Sequence, residues 1–467
     1  MARKNVWEKY DKRKRETVNA FAGTYCDFLN QGKTERECID YIVNRIEREG
    51  YEELDKRIKA GTPLKTGDKV YAVCMNKSIV MFRIGETSLS EGMNILGAHI
   101  DSPRLDVKQN PLYEDGGVAY LDTHYYGGVK KYQWVTLPLA LHGVIVKKDG
   151  TTVEINLGEE EDDPVFFISD LLIHLSSEQL EKKASKVIEG EALDIVVGNM
   201  PYTSEEDKEE KEAVKKNILN ILKEMYDIEE EDFLSAELEV VPAGKAREAG
   251  FDRSLILAYG HDDRVCAFSS LEAMLETEDV KRTTCCILVD KEEIGSVGAT
   301  GMQSQFFANT VAEILNLTGE YSELNLRRCL ASSYMLSSDV SAAFDPSYAA
   351  QFDKKNAAFL GQGMVFNKYT GSRGKSGSND ANAEYIAKIR RMLDEGDITY
   401  QTAELGKVDA GGGGTIAYIL ALYGMNVIDC GIAVMSMHAP WEAISKADLY
   451  ETKCGYAVFL KKAGIEL

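Results

Sequence analysis

Five short segments of the sequence place a carboxylate or a histidine directly after an apolar run. They read ILGAHIDSP, LILAYGHDDR, CCILVDKEEIGS, YMLSSDV and IAVMSMHAP. The side chains that they contribute are His99, Asp101, Asp262, Glu292, Glu293, Asp339 and His438. Imidazole and carboxylate donors suit Zn²⁺, Co²⁺ or Mn²⁺. The set is large enough to hold two metal ions and to leave one carboxylate for proton transfer.

Each segment alone has an ordinary explanation. His99 and Asp101 face the same side of an extended strand, so the carboxylate could orient the imidazole. A lone histidine at a strand end is nevertheless more often a packed or turn residue. Asp262 and Asp263 precede an apolar helix, and, taken singly, one of them is best explained as a helix N-cap. Glu292 and Glu293 are harder to dismiss, because adjacent carboxylates at a buried strand end repel unless a cation or a proton compensates.

The elements that must position these residues alternate between strand and helix. An N-terminal helix is predicted from Asn5 to about Leu29, and the capping-box pattern Thr34-Glu35-Arg36-Glu37 predicts the start of a second helix. Strand patterns cover residues 69–75, 78–84 and 93–100, and later helices are predicted over 265–276, 303–316 and 446–462. Strand, loop and helix in repetition predict an α/β fold with a largely parallel central sheet. Ligands bind at the carboxyl ends of such strands.

The residue pattern changes in a middle segment of the sequence. Residues 102–248 contain Gly/Tyr-rich and alternating stretches such as VAYLDTHYYGG and TTVEINLG, which predict a mostly β module. We therefore divide the chain into a first part of the α/β domain (1–101), an inserted β-rich domain (102–248) and the second part of the α/β domain (249–467). The run Gly411–Gly414 either lets backbone approach a ligand or is a plain loop.

Composition excludes several classes of function. The formal net charge of the 467-residue chain is −22, which would repel nucleic acid. No apolar run is long enough for a membrane span, and the first residues lack the apolar stretch of a secretory signal. We therefore expect a cytoplasmic protein. The nine cysteines lie mostly in apolar surroundings without Cys-x-x-Cys spacing, so we expect reduced, buried thiols.

Together, GAHIDSP, the Asp-Asp pair, DKEEIGS, SSDV and SMHAPWE resemble the aspartyl aminopeptidase family of dinuclear zinc exopeptidases in order and spacing. The resemblance implies that His99 and His438 bind different metal ions, that Asp262 bridges the ions, and that Glu293 and Asp339 each complete one ligand set. Glu292 would be the general base, and Asp101 would orient His99. It also implies peptide substrates, an inserted dimerisation domain, and a homo-oligomer in the form of a tetrahedral dodecamer.

The chain departs from the family pattern where substrate preference is set. Ala342 and Asp345 stand where family members commonly have histidines, and Tyr132 stands where many have a histidine that is thought to reach a neighbouring subunit. A preference for acidic N-terminal residues therefore does not follow from the metal ligands. Further candidates for substrate contact are Lys368 and Arg373, with His124 as a lid residue. The alternatives are a related two-metal carboxypeptidase or amide deacylase, and a non-catalytic assembly protein.

Overall fold

The computed structural model describes residues 4–203, 211–371 and 376–464. The chain divides into two compact units. The first comprises residues 1–102, 246–437 and 442–467, and the second comprises residues 103–245 and 438–441. Each unit has its own hydrophobic core.

Helices and strands alternate through much of the first unit, and strands dominate the second. Within the described ranges the α-helices are α1 Lys12–Gln31, α2 Glu35–Arg48, α3 Leu54–Ala60, α4 Ser177–Leu180, α5 Ala213–Tyr226, α6 His261–Glu276, α7 Phe306–Leu317, α8 Glu323–Ala331, α9 Ala383–Glu395, α10 Ala417–Ala421 and α11 Lys446–Lys462. The strands are β1 Glu52–Glu53, β2 Lys69–Cys74, β3 Ser78–Arg83, β4 Asn94–His99, β5 Arg104–Asp115, β6 Val118–Tyr126, β7 Leu139–Val146, β8 Thr152–Leu157, β9 Ile195–Gly198, β10 Ala236–Pro242, β11 Arg247–Ala249, β12 Leu255–Ala258, β13 Thr284–Val289, β14 Tyr334–Ser338, β15 Ser341–Ala342, β16 Met364–Asn367, β17 Tyr400–Ala403, β18 Asn426–Gly431, β19 Ala433–Met435 and β20 Glu442–Ser445.

The central sheet of the first unit confirms the predicted α/β fold. Its strand order is β1-β2-β3-β13-β4-β14-β18-β16-β17. The middle strands β13, β4, β14 and β18 run parallel to one another. All residues of β4 and β13 are buried, as expected for parallel strands covered on both faces. Alternate residues of these strands enter two cores: Leu96 and Leu288 belong to one, and Ile95 and Ile287 to the other.

The N-terminal helices show how local sequence sets the boundaries. The capping box at Thr34 and Glu37 is confirmed, and α2 begins directly after it. The prediction of one helix from Asn5 was wrong. A 3₁₀ turn covers Val6–Glu8, and α1 begins only after Asp11, whose side chain accepts a hydrogen bond from the backbone N–H of Lys14.

A second sheet in the first unit was not predicted. Its order is β11-β12-β20-β19-β15, so it joins strands from three distant parts of the sequence. These strands have only two to four residues each. The apolar runs of β12 and β19 were recognised, but segments this short carry too little periodicity to show which sheet they join.

The second unit is built around an antiparallel sheet of order β8-β7-β10-β5-β6-β9. Its core includes Trp134, Leu139 and Val240, whose side chains are all fully buried. Helix α5 contributes partly buried side chains, among them Ile218 and Leu222, to the same core. Across the described ranges of both units, every helix is too short or too polar to cross a membrane.

All nine cysteines are free thiols, and six of them are buried. Burial raises the pKa of the Cys38 thiol to about 12. It also raises the pKa of Cys285 and Cys286 on β13 above the ordinary value. These thiols are therefore protonated at neutral pH and behave as small apolar groups.

Phe268 on α6 tests the packing of the first unit. Its ring is fully buried and contacts the rings of Phe21, Tyr25 and Phe28. Because Phe268→Ala would leave a cavity, we expect it to lower the free energy of unfolding by about 3–5 kcal/mol in chemical denaturation. Phe251 is fully exposed, so Phe251→Ala should change the same quantity by less than about 0.5 kcal/mol. Equal effects of the two substitutions would contradict the assigned core.

Candidate metal centre

His99 is the last residue of β4 and is almost completely buried. The parallel register pairs it with Val289, the last residue of β13. The loop that follows β13 therefore begins beside the imidazole. The next parallel neighbour of β4 is β14, and Asp339 directly follows its end. The strand order thus brings three of the five segments to one edge of the central sheet.

Asp101 makes two kinds of contact at this edge. Its main-chain carbonyl lies 3.0 Å and its Oδ1 3.2 Å from His99 Nδ1, and the carboxylate contact is the one expected of a group that orients the ring. The same carboxylate also accepts hydrogen bonds from the backbone N–H groups of Glu292 and Glu293, each at 3.1 Å. One carboxylate therefore fixes both the histidine and the loop that carries the glutamate pair. The sequence suggested only the first of these contacts.

Glu292 and Glu293 lie in a 3₁₀ turn, Glu292–Ile294, and both are partly buried. The turn follows Lys291, whose φ is 72°. Ligand atoms of His99, Glu292 and Glu293 all lie within 4.8 Å of one another. The Oε2 atom of Glu292 is 4.0 Å from His99 Nε2. The glutamate pair therefore faces the imidazole.

Asp262 and Asp339 form a second group with His99, again with ligand atoms within 4.8 Å. The Oδ1 atom of Asp262 is 3.2 Å from His99 Nε2. Asp262 and Asp263 have non-helical backbone angles at the start of α6. The carboxylate of Asp262 thus faces His99. Asp339 is held through its backbone N–H, which donates to the carbonyl of Cys430 at 3.1 Å.

The electrostatics of this edge fit a bound cation. Burial raises the pKa of Asp339 well above its ordinary value, and the nearby charges of Asp262, Asp263 and Glu292 raise it further. Burial would lower the pKa of His99, but hydrogen bonds with Asp101 and Asp262 and the charges of Asp101 and Glu292 together raise it well above its ordinary value. A divalent cation would relieve the repulsion and replace the proton on the imidazole. Oxygen and imidazole donors at these distances suit zinc.

His438 lies in the segment His438–Trp441, which is grouped with the second unit. It has a φ of 64°. Its Nδ1 forms a hydrogen bond of 3.1 Å with the carbonyl of Gly128. A carbonyl can only accept, so this bond places a proton on Nδ1, and in the neutral ring the lone pair then lies on Nε2. That tautomer is the one required of an Nε2 metal ligand. The assignment of His438 as a ligand stays a prediction.

Comparisons with known proteins show the family of the chain. The family model described as aminopeptidase I zinc metalloprotease (M18) matches residues 28–460. A probable M18 family aminopeptidase 1 from Clostridium acetobutylicum is 63% identical over 457 residues, which cover 98% of each chain. A crystal structure of an M18 family aminopeptidase from Thermotoga maritima is 47% identical, has a TM-score of 0.94, and matches over 99% of this chain and 100% of its own. The chain belongs to the M18 family.

This M18 family member is therefore a metallo-aminopeptidase, a hydrolase of peptide bonds. Membership decides against the carboxypeptidase, amide deacylase and non-catalytic alternatives. More distant structures share the fold. One is a structure described as a dodecamer of mApe1 from Saccharomyces cerevisiae, at 20% identity with a TM-score of 0.76, covering 94% of this chain and 96% of its own.

The predicted substrate-contacting residues have ordinary surroundings. His124 is exposed on β6, stacks on Tyr125 and contacts that residue's carbonyl through Nδ1 at 2.7 Å. Tyr132 is also exposed. Lys368 lies 4.8 Å from the ring centroid of its neighbour Tyr369. Arg373 lies outside the described residues. Roles for these residues in substrate binding stay predictions.

Sequence reasoning missed the residues that support Asp262. The hydroxyl of Ser102 donates to the Asp262 carbonyl at 2.7 Å, and Glu442 Oε2 accepts from the Asp262 N–H at 3.0 Å. Next to Asp262, the buried His261 contacts the Tyr25 hydroxyl through Nδ1 at 2.7 Å and the carbonyl of Ile256 through Nε2 at 3.2 Å. Burial lowers the pKa of His261 to about 3, so it stays neutral. For His261, the position in the chain directly before Asp262 was the only sequence signal of a role near the site.

Asp101→Asn tests the double contact of Asp101. An asparagine offers one acceptor oxygen, whereas the two backbone N–H groups of the glutamate pair each use one carboxylate oxygen. We expect kcat/KM on an aminoacyl reporter to fall about 10–100-fold, the usual cost of losing a group that orients a metal ligand. Asp27→Asn, at an exposed position on α1, is the control and should leave the rate unchanged. Unchanged kcat/KM in Asp101→Asn would show that this carboxylate does not hold the centre.

Proposed function

We propose that this M18 family enzyme is a dinuclear metal-dependent aminopeptidase. In this proposal His99, Asp262, Glu293, Asp339 and His438 hold two divalent ions, with zinc as the expected metal and cobalt or manganese as substitutes. His99 and Asp339 would hold one ion, Glu293 and His438 the other, and Asp262 would bridge them. The observation that carries the proposal is the convergence of Glu292, Glu293, Asp262 and Asp339 on the single imidazole of His99.

Glu292 is the proposed general base and acid. When bound, the divalent ions would polarise the scissile carbonyl and lower the pKa of water at the site. Glu292 would take a proton from the attacking water and deliver it to the leaving amine nitrogen as the C–N bond breaks. Asp101 supports this role because its contacts with two backbone N–H groups fix the turn that carries Glu292. His99, held by the same carboxylate, would keep its Nε2 directed at the ligand group.

Glu292→Gln separates proton transfer from metal binding. The variant keeps the size of the side chain but cannot take a proton, so we expect kcat to fall about 10²–10⁴-fold while zinc content stays at the wild-type value. Zinc content is measured by elemental analysis, and kcat with aminoacyl reporters that carry Leu, Ala, Asp or Glu. Glu323→Gln, on α8, is the matched control.

Two results would contradict the proposal. Full turnover by Glu292→Gln would remove the base assignment. Hydrolysis of an N-acetylated reporter as fast as the free-amine reporter would show that a free N-terminus is not required. The reporter panel also measures any preference for acidic N-terminal residues. The family resemblance suggests this preference, but the departures at Ala342, Asp345 and Tyr132 mean that it does not follow from the sequence.

We also propose that the chain forms a homo-oligomer, with the tetrahedral dodecamer as the expected form and the second unit as its dimerisation domain. An exposed apolar stretch supports this role, because such patches usually mark interfaces. In the second unit, several large apolar residues between positions 165 and 180 expose from 45% to 68% of their surface. They are Val165, Phe167, Leu171, Leu172, Ile173, Leu175 and Leu180. A cytoplasmic location stays a prediction from the sequence.

Light scattering tests the assembly. The wild-type particle should have twelve times the subunit mass of 51.8 kDa. The double variant Ile173→Glu/Leu175→Glu should form smaller particles, because it places charge in the exposed apolar stretch. Lys186→Glu alters charge at an exposed position nearby and should keep the full mass. A monomeric wild-type protein would contradict the proposal.

A further inference from the structure

Asp262 lies in the first turn of α6, where backbone N–H groups have no partner within the helix. Its φ and ψ of −79° and 110° are non-helical, although it lies within the first turn of that helix. Only 3% of its surface is exposed, so water cannot readily serve its N–H and C=O groups. A buried backbone group without a partner costs about as much as a lost hydrogen bond. The N–H group must therefore be satisfied by another part of the chain.

Two side chains from distant segments bind the backbone of Asp262. Glu442, the first residue of β20, accepts a hydrogen bond from the Asp262 N–H at 3.0 Å. Ser102, three residues after the end of β4, donates its hydroxyl to the Asp262 carbonyl at 2.7 Å. Both residues are almost completely buried. They therefore hold the peptide groups on either side of the Asp262 Cα atom.

The backbone segments that carry Glu442 and Ser102 are themselves held by hydrogen bonds. Glu442 pairs with Ala258 across the β12–β20 ladder, three residues before the helix that begins at His261. Ser102 follows the segment whose Ile100 carbonyl accepts a hydrogen bond from Arg264 Nε at 3.1 Å. Arg264 is buried and lies two residues after Asp262. Strand β4, strand β20 and the start of α6 are thus tied together around one residue.

We infer that Ser102 and Glu442 are positioning residues that set the metal affinity of the centre by clamping the backbone of Asp262. The inference rests on the proposed role of Asp262 as a ligand shared by both ions. A shared carboxylate must meet two ions at once, so a small rotation of its backbone would disturb both sets of bonds. A charged acceptor suits this position because hydrogen bonds to a carboxylate are stronger than those to a neutral oxygen.

The test measures zinc affinity. Metal-free full-length protein is titrated with Zn²⁺ in competition with a chromophoric chelator, and its melting temperature is recorded without metal. We expect Ser102→Ala and Glu442→Ala each to weaken zinc binding about 10–100-fold, the usual effect of losing a group that supports a metal ligand. Glu442→Gln should retain most of the affinity, because its amide oxygen can still accept the Asp262 N–H.

Glu451→Ala is the matched control. Glu451 is also a buried glutamate of the first unit that accepts a backbone N–H, that of Thr399 at 2.7 Å, together with the Tyr10 hydroxyl at 2.6 Å. Its loss should lower the melting temperature and leave zinc affinity unchanged. If Glu442→Ala does not fold, Ser102→Ala, which removes only one hydroxyl, decides the question.

Two outcomes would overturn the inference. One is wild-type zinc affinity in Ser102→Ala and Glu442→Ala, even with lowered melting temperatures. The other is an equal loss of affinity in Glu451→Ala, which would make the effect one of general stability. Asp262→Ala distinguishes a failure of the proposed function from a failure of this inference. If that variant binds both zinc ions as tightly as wild type, Asp262 is not a ligand and the ligand assignment itself fails.

Discussion

Repulsion between carboxylates at the carboxyl edge of the central sheet is the constraint on which the site depends. Asp262 and Glu292 lie close enough to Asp339 for their charges to raise its pKa, and His99 shares a potential ligand group with each of these three carboxylates. Left alone, such a group would spread apart or take up protons. Hydrogen bonds between side chains and backbone hold the segments that carry this group in place.

Strand order makes that restraint possible. The three parallel strands β13, β4 and β14 end at the same edge, so Glu292, His99 and Asp339 need only short loops to meet. Asp101 then joins the first two of these loops, because it contacts His99 and the backbone of the glutamate pair. Because the site is pre-organised in this way, the unfavourable free energy of bringing like charges together is met when the chain folds, before any substrate binds.

Sequence alone predicted the strand ends, because an apolar run followed by a charged residue is a local signal. The capping box at Thr34 was predicted for the same reason, since its residues are three positions apart. The sheet that contains β20 was not predicted, and neither was the contact of Glu442 with Asp262. That contact joins residues 180 positions apart, and a periodic sequence pattern does not predict a single hydrogen bond over such a separation. Even the second role of Asp101 requires knowing that β4 and β13 are neighbours.

The free cysteines have a consequence for metal loading. In the folded chain their thiols are protonated and mostly buried, so they do not compete with the carboxylates and histidines for zinc. In the unfolded chain the same nine thiols are exposed, and thiolates are strong zinc ligands. Zinc bound to the unfolded chain offsets part of the stabilisation that zinc gives the folded one. The order of events therefore matters: a chain that folds first and meets zinc afterwards reaches the correct site without passing through thiolate complexes.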